Sequence, residues 1–292
     1  MINIQKYIRA QSLDEAYRLN QNRQNRIIGG MLWLKMGKGN VNTAIDLCGL
    51  GLDVVEETEE QFSVGAMVTL RQIELHEGLN VYTWGAAAAA VKDIVGVQFR
   101  NLATIGGSIW GRFGFSDVLT FFLSMETYVE LHKGGIIPLE QFASMKYDND
   151  ILVRLIVKKI PGEFIYSSMR NQRTDFPVIA CALSRIGGKR PAAIGESRLQ
   201  TEGECPTAIG ESLSQIEEEY RAVIGARPDR AMAVRDERGL LSGGLTEEGI
   251  KAFADYVAEV TPTGSNTRGS AAYRTHLIRV LTERKLSELG GI

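Results

Sequence analysis

A glycine pair in the middle of the chain constrains its local fold more than any other feature. Residues 100–109 read Arg-Asn-Leu-Ala-Thr-Ile-Gly-Gly-Ser-Ile, so Gly106 and Gly107 lie between Thr104 and Ser108. Glycine adopts positive φ without steric cost and leaves no Cβ in the way of a ligand. We expect positive φ here, with backbone N–H groups and the two hydroxyls converging on a phosphate or pyrophosphate. The alternative is an ordinary tight turn between a strand and a helix.

Another glycine pair, the first in the chain, follows a short β-branched stretch near the start. Arg26, Ile27 and Ile28 lead directly into Gly29 and Gly30. Two such loops can enclose one pyrophosphate from two sides. Neither loop has the G-x-G-x-x-G spacing of a Rossmann dinucleotide site, so that fold is not predicted.

The composition is that of an ordinary soluble globular protein. The chain has 292 residues, of which 44% are hydrophobic and 23% are charged, and this length predicts two domains, or one domain with subdomains. A net charge of −2 gives no basis for binding nucleic acid or an anionic membrane. We find no apolar run near the ~20 residues of a membrane helix and no signal peptide at the start, so we expect a cytoplasmic protein.

Cysteines and histidines are too scattered to predict a metal site. Cys48, Cys181 and Cys205 have no C-x-x-C spacing and cannot supply the four thiolates of an iron–sulfur cluster. The three histidines have no partner at ligand spacing. We also find no nucleophile–base pair and no carboxylate pair, so no catalytic side chain is predicted.

The pattern of elements begins with a small β-α-β unit over about residues 1–53. Ser12 and Glu15 have the spacing of a capping box, and a helix is expected to follow to about Asn22. Strands are expected at 26–28, before the first glycine pair, and at 43–47.

Residues 54–162 are predicted to alternate strands with short helices. We expect strands at 62–66, 128–131 and 151–157, a helix from Thr69 to about Glu77, an alanine-rich helix over 85–95 and a buried helix over 118–123. The glycines at 134–135 indicate a hairpin.

The remaining residues predict a strand at 166–170, a buried strand or helix at 178–183 and a final helix. That helix begins near Gly269, and its apolar spacing predicts a buried face made by Tyr273, Leu277, Val280 and Leu281. Residues 184–212 contain Ala-Ile-Gly-Glu-Ser twice, fifteen residues apart, and we assign them no secondary structure.

Taken in order, these motifs resemble the FAD-binding subunit of molybdenum hydroxylases, the xanthine dehydrogenase and carbon monoxide dehydrogenase family. The resemblance spans nearly the whole chain and is carried by residues 28–30, 98–101, 104–109 and 116–117. It implies an α+β fold, with a two-subdomain FAD-binding domain (PCMH/vanillyl-alcohol-oxidase-like) over 1–162, divided into about 1–53 and 54–162. A smaller α/β C-terminal domain over 163–292 follows.

The resemblance also implies FAD as cofactor and a set of residues that bind it. The set comprises Ile28, Gly29, Gly30, Met31, Leu32, Thr104, Ile105, Gly106, Gly107, Ser108, Ser116, Asp117, Ile151 and Tyr166. In it the four glycines hold the pyrophosphate and Ile105 lies near the flavin ring. Asp117 accepts a ribose or ribityl hydroxyl, or else caps the helix that begins at Val118. Tyr166 contacts the flavin face, or else is a buried strand tyrosine.

Three positions depart from the family pattern. After the first glycine pair, Met31 and Leu32 stand where the family usually has a hydroxyl or imidazole residue followed by Asp or Ser. Two polar contacts to the cofactor are therefore missing. Ser168 stands where the family tends to carry a lysine, although Arg170 and Arg173 are nearby in the sequence.

The function implied is electron transfer within a complex. The implied partners are a large molybdopterin-binding subunit that hydroxylates the substrate and a small subunit with two two-iron clusters. The flavin chain passes the electrons to NAD or another acceptor. Two alternatives remain: a flavin-free scaffold that only docks partners, which Met31 and Leu32 would favour, and a self-contained FAD oxidoreductase.

Overall fold

A computed structural model describes residues 2–187 and 218–291. The repeated pentapeptide and Cys205 lie outside these ranges. The strands are β1 (Ile2–Arg9), β2 (Arg26–Ile28), β3 (Gly39–Asp46), β4 (Val55–Glu57), β5 (Gln61–Gly65), β6 (Thr127–Leu131), β7 (Gly135–Pro138), β8 (Leu152–Lys158), β9 (Gly162–Arg170), β10 (Pro177–Ile186), β11 (Glu219–Gly225) and β12 (Met232–Arg235). The helices are α1 (Leu13–Asn20), α2 (Leu70–Leu75), α3 (Glu77–Tyr82), α4 (Ala86–Val91), α5 (Val97–Arg100), α6 (Ile105–Gly111), α7 (Asp117–Leu123), α8 (Leu139–Ser144), α9 (Glu247–Val260) and α10 (Ala271–Gly290).

The first sheet is parallel and has the strand order β1-β3-β2. Helix α1 connects β1 to β2, which confirms the β-α-β prediction. The Ser12 side chain caps α1 by accepting a hydrogen bond from the Glu15 N–H group. The first glycine pair follows the carboxyl end of β2, the edge of a parallel sheet where ligands usually bind.

The second sheet is antiparallel, with the strand order β4-β5-β8-β6-β7, and the predicted hairpin at 134–135 joins β6 to β7. Two helices are shorter than predicted. The first ends at Leu75, because the His76 side chain caps the next helix. The alanine-rich helix covers only Ala86–Val91 and starts after Gly85, which has φ 79°.

The third sheet is antiparallel, with the order β12-β11-β10-β9, and is covered on both faces. One face packs against α4 and α7 and joins the core of the second sheet. The other face packs against α9 and α10 around Phe253 and Ile278. Arg221 of β11 donates to the carbonyl oxygens of Leu123 (3.3 Å) and Met125 (3.2 Å), next to the end of α7. The boundary at 162 remains a prediction, since a continuous core crosses it.

The predicted buried face of the last helix is wrong in part. Leu277 is buried, but Tyr273 is 39% exposed and Val280 and Leu281 are only partly buried. The fully buried positions are Arg274, Ile278 and Thr282. The Arg274 guanidinium donates to the carbonyl oxygens of Val178 (2.8 Å), Gly264 (2.6 Å) and Gly269 (2.6 Å). These acceptors replace the water that a buried guanidinium loses, so a charged residue can occupy a core position.

An ion pair on the surface links the third sheet to α8. Arg235 of β12 donates to both carboxylate oxygens of Glu140, at 3.2 and 2.6 Å. The hydrogen bond from Arg235 lowers the pKa of Glu140. Within residues 2–187 and 218–291, no helix is both long and apolar enough to cross a bilayer.

Candidate functional site

The two glycine pairs meet in space, but not for the reason that the sequence suggested. Neither Gly106 nor Gly107 has positive φ, because both lie in the first turn of α6. A Cβ on Gly106 would lie 2.5 Å from the carbonyl oxygen of Ala66, at the end of β5, and a Cβ on Gly30 would overlap the carbonyl group of Leu102. Both positions therefore need glycine for close backbone packing, and the predicted positive φ is wrong.

The free N–H groups that the sequence predicted at Gly106 and Gly107 are also absent. The N–H group of Ile105 donates to Val68 and that of Gly106 donates to Ala66, both at 2.8 Å. The N–H group of Gly107 donates to the Thr104 hydroxyl (3.1 Å), and the Ser108 hydroxyl donates to the Thr104 carbonyl (3.0 Å). The helix start is therefore satisfied internally, and only the surface over Gly107 is open.

The first glycine loop supplies the donors instead. The N–H groups from Gly29 to Trp33 have no acceptor among the described residues. Met31 has φ 57°, an uncommon value for a residue other than glycine, which turns this stretch of backbone. Successive N–H groups in a turned backbone form a concave anion site without any lysine or arginine. Met31 and Leu32 can therefore contribute through the main chain, whatever their side chains lack.

The two loops face one cleft that has an aromatic half and a polar half. The aromatic cavity has a volume of about 450 Å³ and the polar cavity about 1040 Å³. Six residues line both cavities: Ile27, Ile28, Gly29, Thr104, Gly107 and Trp110. The cavities are thus two ends of one cleft that adjoin at the glycine loops.

Six aromatic side chains line the aromatic cavity, and sequence analysis missed the four that pack against one another. Trp33, Phe113, Phe115 and Phe176, here called the aromatic cluster, line it together with Gly30, Met31, Leu32, Ser108, Ser116 and Asp117. The rings come from three separate segments: the first glycine loop, the loop between α6 and α7, and the turn between β9 and β10. No periodic spacing in the sequence connects them, so only the fold brings them together.

The polar cavity is lined by amide side chains. Asn20, Asn22, Asn25 and Asn149 lie around it, together with Gly106 and the predicted site residue Ile151. Hydrogen-bonding side chains of this kind fit a polar ligand group such as a ribose or the edge of a purine. Asn20 ends α1, Asn22 and Asn25 lie between α1 and β2, and Asn149 precedes β8, so their clustering was not evident from sequence.

Asp117 and Tyr166 form a buried polar group at the wall of the aromatic cavity. Asp117 accepts hydrogen bonds from the Tyr166 hydroxyl and, at 2.7 Å, from Arg170. Burial and the neighbouring Asp117 raise the pKa of Tyr166 well above its usual value. The alternative that Asp117 caps the helix is wrong, because Ser116 is the cap and accepts from the Leu119 N–H group at 3.0 Å.

Two predicted site residues do not line the cleft. The Ile105 side chain is fully buried in the core between the second sheet and α6, so it does not lie next to either cavity. Tyr166 is a buried strand residue, as the alternative interpretation expected, and it touches the site through Asp117. No group of three His, Cys, Asp or Glu side chains able to hold a metal occurs among the described residues.

Comparison with known proteins identifies the family of this chain. Residues 2–161 match the family described as the FAD binding domain in molybdopterin dehydrogenase. The chain belongs to this family. Membership makes FAD its cofactor and places the chain among oxidoreductase components.

Relatives extend the similarity over the whole chain. The medium chain of a glyceraldehyde dehydrogenase from Sulfolobus acidocaldarius is 23% identical, with 97% of each chain covered. The FAD-binding subunit of a xanthine dehydrogenase from Escherichia coli O157:H7 is 24% identical, covering 99% of this chain and 97% of that one. A chain of reconstituted CO dehydrogenase from Oligotropha carboxidovorans has 17% identity, 97% coverage of both chains and a TM-score of 0.76. At that identity the structural match shows the fold, which is the predicted α+β fold.

Proposed function

We propose that this chain is the FAD-carrying electron-transfer subunit of a multi-subunit molybdenum hydroxylase. The observation that carries the proposal is the run of N–H groups from Gly29 to Trp33, which has no acceptor among the described residues and opens onto a two-ended cleft. A pyrophosphate bound at the middle of the cleft, over Gly107, would be held by these donors.

The two ends of the cleft suit the two ends of FAD. The aromatic cavity, with the aromatic cluster and Met31, offers the apolar slot that an isoalloxazine needs. The polar cavity offers amide groups to the adenosine, with Ile151 as an apolar wall. Asp117 is engaged by Tyr166 and Arg170, and its remaining acceptor capacity would serve a ribityl hydroxyl.

The chemistry of the complex is then divided among chains. Bound flavin supplies exchange of one or two electrons, which connects one-electron carriers to a two-electron acceptor. The residues of this chain bind, orient and shield the cofactor. Substrate hydroxylation belongs to a molybdopterin-binding large subunit, and two two-iron clusters in a small subunit deliver the electrons. The electron acceptor of the reduced flavin is NAD or another oxidant, and assays should compare them.

The test is to purify the chain alone and then with its partner subunits. We expect the isolated chain to show flavin absorption bands, to contain no stoichiometric metal and to oxidise no purine, aldehyde or N-heterocycle. Adding the partners should restore reduction of the flavin by substrate. A colourless chain in an active complex would identify a scaffold, and turnover without partners would identify a self-contained oxidoreductase; either result overturns the proposal.

A further inference from the structure

A buried arginine lies behind the wall of the polar cavity and has no ion-pair partner among the described residues. Arg112 directly follows α6, has φ 41° and is only 3% exposed. Positive φ is uncommon for a residue other than glycine, and burial removes the water around a guanidinium, so the position is unfavourable for arginine in two ways. One guanidinium nitrogen donates to the Met145 carbonyl oxygen at 2.7 Å, whereas Nε has no hydrogen-bond partner within residues 2–187 and 218–291.

Three aromatic rings surround this guanidinium. The Cζ atom of Arg112 lies 4.0 Å from the ring centroid of Phe142, 4.6 Å from that of Tyr147 and 5.5 Å from that of Trp110. A cation over an aromatic face is attracted to it, more strongly where water is excluded, so the rings replace part of the lost hydration. Phe142 belongs to the core, but Trp110 and Tyr147 line the polar cavity. Arg112 therefore holds two rings of the cavity wall in place.

Tyr147 is fixed in position although it is exposed. It lies in the loop between α8 and β8 and is 57% exposed, yet its hydroxyl donates to the Gly111 carbonyl oxygen at 2.7 Å and its ring packs on Arg112. Arg230 also approaches the ring, at 5.7 Å, and binds the same Met145 carbonyl oxygen as Arg112, so both cations lie on the Met145 side of the ring. The opposite face is left for the polar cavity, which this tyrosine lines. An oriented ring with one open face suits a ligand that stacks.

The surroundings of Tyr147 fit an uncharged planar ring with a polar edge. The charged side chains that line the polar cavity are two cations and two anions, Arg23, Arg26, Asp148 and Asp150. The cavity lining therefore has no excess charge that would select an ion. The Asn149 carbonyl oxygen accepts from Asn20 (2.8 Å) and Gln21 (3.1 Å), which leaves the Asn149 side-chain amide available to a ligand edge. Adenine is uncharged and planar, and its edge carries both a donor and acceptors.

We propose that Tyr147 stacks on the adenine ring of FAD, and that Arg112 is a positioning residue that acts through Tyr147. The proposal rests on the proposed function, which places the isoalloxazine in the aromatic cavity and the adenosine in the polar cavity. It adds that this ring makes the chain prefer FAD to FMN, because FMN carries the isoalloxazine, the ribityl chain and one phosphate but no adenosine. Removing the ring should therefore weaken FAD binding and leave FMN binding unchanged.

Fluorescence titrations of the FAD-free full chain with FAD and with FMN test this. Tyr147→Ala should weaken FAD binding by about tenfold or more, the size of a lost base–ring stack. The same variant should change FMN binding by less than about twofold. Tyr147→Phe keeps the ring and loses only the hydrogen bond to Gly111, so it should bind FAD within about threefold of wild type. Arg112→Met should weaken FAD binding by about threefold or more, again without an effect on FMN.

A matched control and a flavin-free ligand complete the test. Tyr7 is also 57% exposed, lies on β1 and lines neither cavity, so Tyr7→Ala should leave both affinities unchanged. Calorimetry should show that adenosine diphosphate binds the FAD-free wild type and that Tyr147→Ala weakens it by the same factor as FAD.

Three results would overturn the inference and leave the proposed function standing. They are an equal loss of FAD and FMN affinity in Tyr147→Ala, wild-type FAD affinity in that variant, and adenosine diphosphate binding that is absent from the wild type or unchanged by the substitution. If the wild-type chain binds no FAD, the proposed function fails and the inference fails with it.

Discussion

Two neighbouring glycines at the start of α6 should respond in opposite ways to the same substitution. In Gly106→Ala the new Cβ would lie 2.5 Å from the carbonyl oxygen of Ala66 and 2.9 Å from its Cβ. Unstrained contacts lie at roughly 3.5–4.0 Å, so α6 has to move by about 1 Å. That movement also stretches the 2.8 Å hydrogen bond from the Gly106 N–H group to the same oxygen. Overpacking costs about 1–3 kcal/mol and the weakened hydrogen bond about 1 kcal/mol.

In Gly107→Ala the nearest atom is the Thr104 hydroxyl oxygen, at 3.2 Å, and the new methyl points over the cleft. Alanine is favoured over glycine inside a helix by about 0.5–1 kcal/mol, so the stability of the FAD-free protein should stay within about 1 kcal/mol of wild type. Its FAD affinity should fall at least tenfold.

Urea unfolding of the FAD-free proteins and flavin fluorescence titrations measure both quantities for each variant. We expect Gly106→Ala to lose about 2–4 kcal/mol, a fall in Tm of several degrees. Equal stability of the two variants, or wild-type FAD affinity in Gly107→Ala, would refute the assignment of one glycine to packing and the other to the cofactor.

Three further outcomes follow from buried and charged groups. Asp117→Ala leaves Arg170 buried without its partner and should lower the free energy of unfolding by about 3–5 kcal/mol in urea titrations, whereas a loss below 1 kcal/mol would contradict the buried pair. Burial raises the pKa of the Cys181 thiol to about 12, so mass spectrometry should find maleimide on the exposed Cys48 at pH 8 and on Cys181 only after unfolding. The pKa of Glu140 is lowered on folding, so its contribution is present above the unfolded value of about 4.3 and is lost as the pH falls through the folded value. Glu140→Gln should therefore be slightly less stable than wild type at pH 7, by under about 1 kcal/mol for this half-exposed pair, and the difference should vanish near pH 3.

Local features of the sequence were sufficient to predict the first sheet and to locate both glycine loops. Three of these features each act within one element, so their spacing along the sequence predicts the local structure. They are Ser12, the β-branched residues before Gly29 and the run of apolar residues after Ser116. The reason for Gly106 could not be read in the same way, because the carbonyl that it approaches belongs to Ala66, forty residues earlier.

The aromatic cluster and the last helix show the same limit. Trp33 and Phe176 stack although 143 positions separate them, and a single sequence carries no signal of such a contact. On α10 the apolar spacing selected Tyr273 as a core residue and passed over Arg274. The prediction failed because the hydrogen-bond acceptors that allow Arg274 to be buried come from a loop and from β10, outside the helix.

The core that joins α7 to the third sheet limits how this chain can be truncated or recombined with its relatives. All seven residues of α7 are buried, and they pack against β10 and β11, which follow the stretch that the family model matches. A fragment ending at residue 161 would expose that surface and leave Leu123 and Met125 without Arg221. We therefore expect that the half matched by the family model does not fold on its own. Chimaeras that exchange it between relatives should fold only when the third sheet is exchanged with it, and the two halves should melt as one cooperative unit.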